Sequence, residues 1–295
     1  MIDRILKKPI TIDKIKIACK LPIKSDDNTF VIDRVSQLSS KAEKSLKFSM
    51  KLSKYHNKGF TFVPIDSPNH PNLIVVNNPK FYFARTLDWL KNKIGFVEIF
   101  KNNISNSSVI HSSAKISKNV IIGDNTIIGA GVVIYDNVSI GKNCIVEANS
   151  VIGNPGFGII REGPVIQKMP QIGGVEIEDF VHIGALTTIN RGTLGLTKIG
   201  LETKIDDHVH IAHNCNIGKR NIITAGVKLG GSIIIQDNVW LGLGSNLHQK
   251  IIINSDVTIG LGANIFFDVD SNATMAGFPS KKIPKNIKKI DINKI

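Results

Sequence analysis

Aromatic residues are scarce in this sequence. Phe, Tyr and Trp together make up 6% of its 295 residues, although 42% of the chain is hydrophobic. Aromatic side chains usually supply much of the buried area of a globular core. Their scarcity therefore indicates a core built by stacking Ile, Val and Leu, in a chain long enough for one large domain or two ordinary ones.

Cysteines are also few, and long apolar runs are lacking. Cys19, Cys144 and Cys215 show no paired spacing, which argues against a disulfide framework or a thiolate metal site. We expect all three to be reduced and buried. No run approaches the ~18 apolar residues of a membrane span, and residues 1–8 lack the apolar segment of a signal peptide. The sequence therefore predicts a cytoplasmic protein with at most peripheral membrane contact.

Acidic residues are too few to balance the basic ones. The formal net charge is +13, which favours an anionic partner: an acidic carrier protein, a phosphorylated small molecule or an anionic membrane surface. The lysines are scattered, and no basic stripe interleaved with aromatic residues is present, so no nucleic acid partner is expected. A solvated Lys-rich surface explains the charge equally well.

Large aliphatic residues recur every six positions through residues 199–265. The series is Ile199, Ile205, Ile211, Ile217, Ile223, Leu229, Ile235, Leu241, Leu247, Ile253, Ile259 and Ile265. A period of six is neither that of a helix nor that of a single strand, and it indicates a parallel β-helix in which three hexapeptides close one triangular coil. Residues one coil apart then stack at about one inter-strand spacing, ~4.8 Å. The chain can therefore be divided into columns of stacked neighbours.

Residues 1–105 lack this period and predict a small α/β domain. Alternating apolar stretches predict strands, and two segments have helical spacing. The predicted strands are Phe30–Ile32, Phe60–Val63 and Leu73–Val76, and the predicted helices lie near Ala42–Leu46 and Phe81–Leu90. The polar stretch 101–108 is expected to link this domain to the repeats.

The repeats are predicted to occupy residues 109–270, beginning at Ile110. Two departures interrupt them: an excursion at 154–174 and a four-residue insertion within 191–198. Loops that leave a regular solenoid often shape a binding site. We therefore expect both departures to lie close to a functional site.

The six-residue pattern stops after Ile265. Residues 271–295 are predicted to be a short basic tail that forms at most a short helix. A β-helix exposes flat faces, so we expect self-association into a homotrimer that covers them.

A histidine and a glycine share one column of the long run. His213 follows the inward Ile211 by two positions and therefore projects outward, and Gly231 occupies the same place in the next coil. Acyl transfer needs a general base with a pKa near neutrality and a fixed hydrogen-bond donor for the oxyanion. His213 and the unobstructed Gly231 N–H are candidates for these roles, and His248 and Lys250 flank their column two coils along. The alternative is an exposed histidine without a function.

Closely spaced histidines also raise the question of zinc. His208 and His213 have the spacing of two zinc ligands in the trimeric β-helices of gamma-class carbonic anhydrases. A third ligand would be expected near position 172, where the sequence reads Gln171-Ile172-Gly173, and His182 is out of place. We therefore predict no metal site.

Several motifs are similar to those of one enzyme family. They are Gly153–Gly158 with Pro170–Gly173, Ile183–Gly192, Lys204–Asp206 with Ile211–Asn214, and, in the small domain, Val76–Arg85. Through these motifs, spread over nearly the whole chain, the sequence resembles the UDP-3-O-acylglucosamine N-acyltransferases of lipid A biosynthesis. The family carries Asp where this chain has Asn190, and Lys250 replaces a second histidine of the His213 column.

The resemblance implies a mainly β fold, a left-handed parallel β-helix, and a homotrimer. It implies transfer of a 3-hydroxyacyl chain from the phosphopantetheine thioester of acyl carrier protein to the 2-amine of UDP-3-O-acylglucosamine, without a bound cofactor. His213 would be the general base, the Gly231 amide the oxyanion donor, and Asp206 an assistant acting across a subunit boundary. The residues expected to contact substrate are Asn214, His248 and Lys250.

In this family the small domain holds the uracil ring between two aromatic side chains. Phe48 and Tyr55 are the nearest candidates here, although their spacing is one residue longer and no asparagine lies between them. Two core aromatics without a ligand are the alternative. Most of the family's C-terminal helical extension has no counterpart, and the basic stretch 281–289 is what remains to attract an acidic carrier protein.

Two other functions are compatible with the sequence. Ala276–Lys281 resembles the terminus of sugar acetyltransferases, which favours an acetyl-CoA-dependent N-acetyltransferase acting on a nucleotide-linked amino sugar. The other is a non-catalytic scaffold that binds a nucleotide sugar, with Asn190 and Lys250 marking lost activity. The sequence leaves the acyl length open, and also the choice between carrier protein and CoA as donor.

Overall fold

The computed structural model describes residues 3–21, 30–51, 59–67, 72–277 and 281–283. The chain divides into two compact units. The first comprises Met1–Glu98, Pro155–Gly173 and Thr193–Gly195, and the second comprises Ile99–Asn154, Gly174–Gly192 and Leu196–Ile295. Neither helix in the described ranges has the length and apolar character needed to cross a membrane.

Both described helices lie before residue 94, and short strands dominate the rest. The N-terminal elements are β1 (Arg4–Thr11), α1 (Ile12–Cys19), β2 (Val31–Val35), β3 (Ser45–Phe48), β4 (Phe60–Val63), β5 (Leu73–Val75) and α2 (Pro79–Lys93). The strands that follow are β6 (Asn103–Ile104), β7 (Val109–Ile110), β8 (Lys115–Ile116), β9 (Val120–Ile122), β10 (Ile127–Ile128), β11 (Val133–Ile134), β12 (Val138–Ile140), β13 (Ile145–Val146), β14 (Val151–Asn154), β15 (Ile159–Glu162), β16 (Val165–Lys168), β17 (Gly174–Ile177), β18 (His182–Ile183), β19 (Thr188–Asn190), β20 (Leu196–Ile199), β21 (Lys204–Ile205), β22 (His210–Ile211), β23 (Asn216–Ile217), β24 (Ile222–Ile223), β25 (Lys228–Leu229), β26 (Ile234–Ile235), β27 (Trp240–Leu241), β28 (Asn246–Leu247), β29 (Ile252–Ile253), β30 (Thr258–Ile259), β31 (Asn264–Ile265), β32 (Thr274–Ala276) and β33 (Lys281–Ile283).

The first unit is an α/β fold around one sheet in the order β1-β2-β3-β4-β5. Strands β1 and β2 are antiparallel, and the other neighbours are parallel. Helix α2 starts at Pro79, whose fixed φ suits the first turn, and the side chain of Asn78 accepts a hydrogen bond from the Phe81 N–H at 3.1 Å. These two residues define the N-terminus of α2.

Most elements predicted for this unit are confirmed, and one is wrong. Strands β4 and β5 and helix α2 occur where the pattern predicts them. The helix predicted near Ala42–Leu46 is instead strand β3, because Leu46 pairs with Val35 and Phe60 and is fully buried. Sheet pairing outweighs local spacing at this position.

The excursion between the coils belongs to the core of the first unit. Its strands β15 and β16 form an antiparallel hairpin. Ile160, Met169 and Ile172 are buried in the same hydrophobic cluster as the N-terminal sheet, together with Leu194 from the later insertion. Both departures from the repeat are therefore parts of this unit's packing.

The second unit is a parallel β-helix, which confirms the predicted fold class. Parallel strands stack in three sheets, and each inward residue pairs with its equivalents in the coils on either side: Leu229 pairs with Ile211 and Leu247. Every member of the predicted inward series from Ile199 to Ile265 is buried. Each such aliphatic side chain contributes about 1.5–3 kcal/mol of burial free energy, so the stack supplies its own continuous core.

The stack begins one hexapeptide earlier than predicted. Strand β6 lies inside the stretch 101–108, which we expected to be a linker, and Asn103 and Ile104 pair with Ile121 and Ile122 of the next coil. The polar neighbours of Ile104 conceal the period there.

The stack also continues beyond Ile265. Val269 pairs with Ile253, and Met275 pairs with Ile259. The partners in both pairs are two residues closer in sequence than the partners of a regular coil. A two-residue deletion therefore interrupts the six-residue period without ending the stack. Strand β33 then pairs antiparallel with β32, so the described part of the tail is a strand and not a short helix.

Most corners of the coils are built on a residue with positive φ, such as Ser232 (64°) or Asn238 (59°). Asparagine is frequent there because its side chain tolerates the left-handed region. At most of these corners the N–H of this residue donates to a backbone carbonyl of the preceding coil: Ser232 to His213 O at 2.9 Å, and Asn238 to Lys219 O at 3.0 Å. Backbone hydrogen bonds therefore join most corners to the corner before.

Candidate active site

The imidazole of His213 lies against the backbone of Gly231. His213 occupies the corner after β22 and is half-buried. A Cβ atom added to Gly231 would lie 2.9 Å from both Cε1 and Nε2 of His213. Because no side chain fits between them, only glycine allows the ring to approach the main chain so closely. The structure thus brings together the two residues that share this column.

The Gly231 N–H is available to a ligand. It makes no hydrogen bond to any residue that the structure describes. Equivalent corner N–H groups elsewhere are covered by carboxylates: Asp237 accepts from Lys219 N at 2.7 Å, and Asp206 accepts from Ala225 N at 3.1 Å. At Gly231 no acidic side chain from the described ranges takes this place, so a donor remains next to the His213 ring.

Asn214 contacts the other side of the imidazole. Its φ is 62°, and its amide Nδ2 lies 2.9 Å from His213 Nδ1. The sequence predicts a contact with substrate for this residue, whereas the structure places its amide on the histidine. The direction of this hydrogen bond selects which ring nitrogen carries the proton.

Asp206 makes its contacts with the corner backbone. Its Oδ1 accepts from Asp207 N at 2.8 Å, and its Oδ2 accepts from Ala225 N at 3.1 Å. Within one chain these bonds give the carboxylate a structural role at a different corner from His213. The role across a subunit boundary stays a prediction.

Replacing Asp206 with alanine separates the two roles. Asp237 makes an equivalent bond to a corner N–H, so Asp206→Ala and Asp237→Ala should each lower the free energy of unfolding by about 1 kcal/mol, as expected for an exposed charged hydrogen bond. Chemical denaturation measures this loss. If Asp206 also assists catalysis, only Asp206→Ala lowers turnover; equal turnover in both variants would make Asp206 purely structural.

His248 and Lys250 lie exposed two coils from His213. The His248 ring centroid is 6.3 Å from that of Phe266. Lys250 has a φ of 66° and donates its N–H to Gly231 O at 3.0 Å, which places it in the corner column of Asn214. Gln249 therefore occupies the His213 column two coils along, and Lys250, which we expected in that column, is its neighbour.

The predicted uracil site is described only in part. Phe48 ends β3 half-buried, and its ring centroid is 4.7 Å from that of Phe83 in the core of the first unit. Tyr55 lies outside the described residues. Core packing explains Phe48, and uridine binding stays a prediction.

Arg191, for which no role was predicted, lies one coil before His213. Strand pairing places Ile189 beside Ile211, so Arg191 occupies the His213 column. Its side chain is 6% exposed; it donates to Asp136 Oδ1 at 2.9 Å and to Gly153 O at 2.5 Å. Its place in the column follows from the sequence: position 191 lies one coil plus the length of the insertion before His213.

His210 is a second histidine on the same coil, with a different environment. Its Nδ1 is 2.7 Å from Thr188 Oγ1. Burial lowers its pKa, and the charge of Lys228 lowers it further. His210 is thus held neutral on a sheet face. Among the residues that the structure describes, no three His, Cys, Asp or Glu side chains are grouped so that they could hold a metal ion.

Comparison with known sequences confirms the resemblance. Residues 103–136 and 122–154 match the family described as bacterial transferase hexapeptide (six repeats). The chain is 31% identical to the UDP-3-O-acylglucosamine N-acyltransferase of Caulobacter sp. (strain K31) over 136 residues, 46% of this chain and 40% of that protein. It is 51% identical over 83 residues to the protein of the same name from Syntrophus aciditrophicus, 28% of this chain and 23% of that one. The matches thus span two fifths or less of these relatives.

A solved structure has a similar fold. The UDP-N-acetylglucosamine acyltransferase of Francisella novicida aligns with a TM-score of 0.53 and 28% sequence identity, covering 62% of this chain and 71% of that one. The hexapeptide-repeat architecture is therefore shared with an acyltransferase as well as predicted from the period.

Proposed function

We propose that this chain, a hexapeptide β-helix similar to UDP-3-O-acylglucosamine N-acyltransferases, transfers a 3-hydroxyacyl chain to the 2-amine of UDP-3-O-acylglucosamine. The donor is the phosphopantetheine thioester of acyl carrier protein, and the reaction belongs to lipid A biosynthesis in the cytoplasm. The observation that carries the proposal is the His213 imidazole lying on the Gly231 backbone, beside an N–H without an acceptor among the described residues.

The two groups suit the two needs of acyl transfer. As the amine nitrogen bonds to the thioester carbonyl carbon, Nε2 of His213 accepts a proton from it. The negative charge on the carbonyl oxygen is then stabilised by the Gly231 N–H. When the tetrahedral intermediate collapses, the C–S bond breaks and the imidazolium returns the proton to the departing thiolate. The products are the amide and the free phosphopantetheine thiol.

The Asn214 amide bears on the protonation pattern for this step. As placed, its Nδ2 lies 2.9 Å from His213 Nδ1, and because an amide nitrogen donates, this orientation makes Nδ1 the acceptor and leaves the proton on Nε2. The nitrogen and oxygen of an Asn amide exchange places when the group is turned over. For the transfer the amide turns its oxygen to His213, so that it accepts the Nδ1 proton and leaves the Nε2 lone pair free for the amine.

The amine attacks directly, without a covalent acyl-enzyme. Cys215 is the nearest thiol along the chain, and it is fully buried with Sγ 3.3 Å from Gly230 O. Burial raises its pKa to about 11, so the thiolate needed for nucleophilic attack is scarce at neutral pH.

Replacing Cys215 with alanine should leave turnover within about threefold of wild type, since removal of a buried, inert side chain affects packing and not the chemical step. Intact-protein mass spectrometry of wild type mixed with acyl donor should show no added acyl mass. A stable acyl adduct that disappears in Cys215→Ala would contradict direct attack.

The proposed assembly is a homotrimer in which flat coil faces pack together and Asp206 of one subunit acts on the site of its neighbour. The proposed substrate contacts are His248 and Lys250, with Phe48 and Tyr55 for the uracil. The net charge of +13 favours an acidic carrier protein.

One observation favours a second candidate, an acetyl-CoA-dependent N-acetyltransferase acting on a nucleotide-linked amino sugar. Residues 281–283 of the tail fold back as β33 on β32, and they continue directly from the stretch that resembles the terminus of sugar acetyltransferases. The chemistry at His213 would be the same, and only the donor and acceptor would differ.

A turnover assay decides between the candidates. Purified protein is offered UDP-3-O-acylglucosamine with 3-hydroxyacyl carrier proteins of several chain lengths and, separately, amino sugars with acetyl-CoA, and products are identified by mass spectrometry. Product from the carrier protein supports the first proposal. Product from acetyl-CoA alone supports the second, and bound UDP-sugar without any product supports a non-catalytic scaffold.

A further inference from the structure

The corner that carries His213 is held by a buried side-chain hydroxyl. Most other corners are held by a backbone carbonyl, and the corners at Asn125 and Gly131 by the exposed hydroxyls of Ser107 and Ser113. At Ser232 and Lys250 the residue of positive φ donates its N–H to a backbone carbonyl of the coil before, at 2.9 and 3.0 Å. The corresponding residue at the His213 corner is Asn214, with a φ of 62°. Its N–H donates to a side chain, the Thr197 hydroxyl, at 3.0 Å.

The insertion before this coil accounts for the difference. Thr188 pairs with His210 across a coil that the insertion lengthens, whereas Lys198 pairs with Asn216 across a coil of regular length. The extra residues therefore fall in the corner of the coil that precedes Asn214, and Thr193–Gly195 belong to the other compact unit. Thr197 lies on the first strand after this interruption and is fully buried.

Other buried hydroxyls of the stack accept a hydrogen bond from the N–H one residue after the residue of positive φ. Thr203 Oγ1 accepts from Asn221 N at 3.3 Å, and Thr126 Oγ1 accepts from Cys144 N at 3.0 Å. Both recipients lie one full coil later, directly after the residue of positive φ. The Thr197 hydroxyl instead accepts from the N–H of Asn214, which is the residue of positive φ itself. It therefore holds the turn from which the Asn214 amide projects.

We propose that Thr197 is a positioning residue for the acyl transfer. Its hydroxyl fixes the backbone of Asn214, and the Asn214 amide in turn contacts Nδ1 of His213 at 2.9 Å. Thr197 thereby sets the orientation and tautomer of the imidazole beside Gly231 through a turn that at most other corners is held by a backbone carbonyl. This inference rests on the proposed function, because it assigns Thr197 to the same reaction.

The test compares Thr197→Val with Thr203→Val. Both replace a buried hydroxyl that accepts a corner N–H by a group of similar shape, but only Thr197 is connected to His213. In full-length protein, kcat and KM are measured with 3-hydroxyacyl carrier protein and UDP-3-O-acylglucosamine, and the His213 tautomer by ¹⁵N NMR. Thr197→Val should lower kcat roughly ten- to hundredfold, as expected for a misplaced catalytic group, with KM within twofold, and change the His213 ring nitrogen shifts. Thr197→Ser should restore both, and Thr203→Val should leave both unchanged.

Equal kcat and equal ring nitrogen shifts in Thr197→Val and Thr203→Val would overturn the positioning role. If Thr197→Val does not fold, Thr197→Ala against Thr203→Ala gives the same comparison. If wild type turns over none of the donors, the proposed function fails. The NMR comparison is still decisive then, because unchanged His213 shifts in Thr197→Val would refute the connection itself.

Discussion

Replacement of His213 with alanine is expected to lower kcat by about 10²–10⁴-fold, the contribution typical of a general base, while the coil stack stays folded. The imidazole is half-buried and projects outward from its corner, so its removal takes no side chain from the hydrophobic core. The measurement is single-turnover acyl transfer followed by mass spectrometry, with the thermal unfolding midpoint recorded for the same samples.

His208→Asn is the matched control for this variant. His208 is an exposed histidine of the same segment with a φ of 58°, a conformation that asparagine tolerates. Turnover of His208→Asn should match wild type. A His213→Ala protein that keeps more than a tenth of wild-type turnover would remove His213 from the mechanism.

Replacement of Gly231 with alanine is expected to cost about 10²-fold in kcat with little change in the unfolding midpoint. The new Cβ would lie 2.9 Å from Cε1 and Nε2 of His213, closer than van der Waals contact allows, so the ring must move away from the Gly231 N–H. A displacement of about 1 Å is enough for a loss of this size. The Gly231 N–H itself remains, so the loss reports the geometry between the ring and the main chain.

Gly260→Ala is the control for added bulk in the same stack. A Cβ at Gly260 would meet the side chain of Ala276 at 3.3 Å, away from His213, and turnover should be unchanged. Crystal structures of both variants would show whether only the Gly231 variant moves an imidazole. Full turnover in Gly231→Ala would mean that the two groups do not act together.

The period of six predicted the coils because every sixth residue points inward and is aliphatic. Each residue from Ile199 to Ile265 in the series is buried whatever its neighbours, so local sequence is sufficient to identify the strand and its face. The His213 and Gly231 contact was predictable for the same reason, since stacking follows directly from the length of one coil.

The ends of the stack were harder to predict because polar neighbours or a deletion obscure the six-residue period there. Ile104 stands among polar residues, and a two-residue deletion brings Val269 beside Ile253 earlier than the regular count allows. Strand β3 was missed since its pairing partner Phe60 is distant in sequence. Non-local pairing of this kind leaves little trace in a short segment.

The fine structure of the candidate site lies beyond sequence periodicity. The Thr197 contact with Asn214 depends on where a four-residue insertion falls in the coil before. The Asn214 amide could equally have faced a substrate, and only the corner geometry turns it to His213. Contacts made through insertions and side-chain directions have no fixed spacing to count.

The double variant His213→Ala/Gly231→Ala tests most directly the claim that the two residues form one catalytic unit. Alanine at position 231 acts by pushing the imidazole aside, so it has nothing to displace once the ring is removed. Single-turnover rates should show the double variant within about threefold of His213→Ala alone, the non-additivity expected of groups that act together. A rate lowered by the full product of the two single losses would contradict the account.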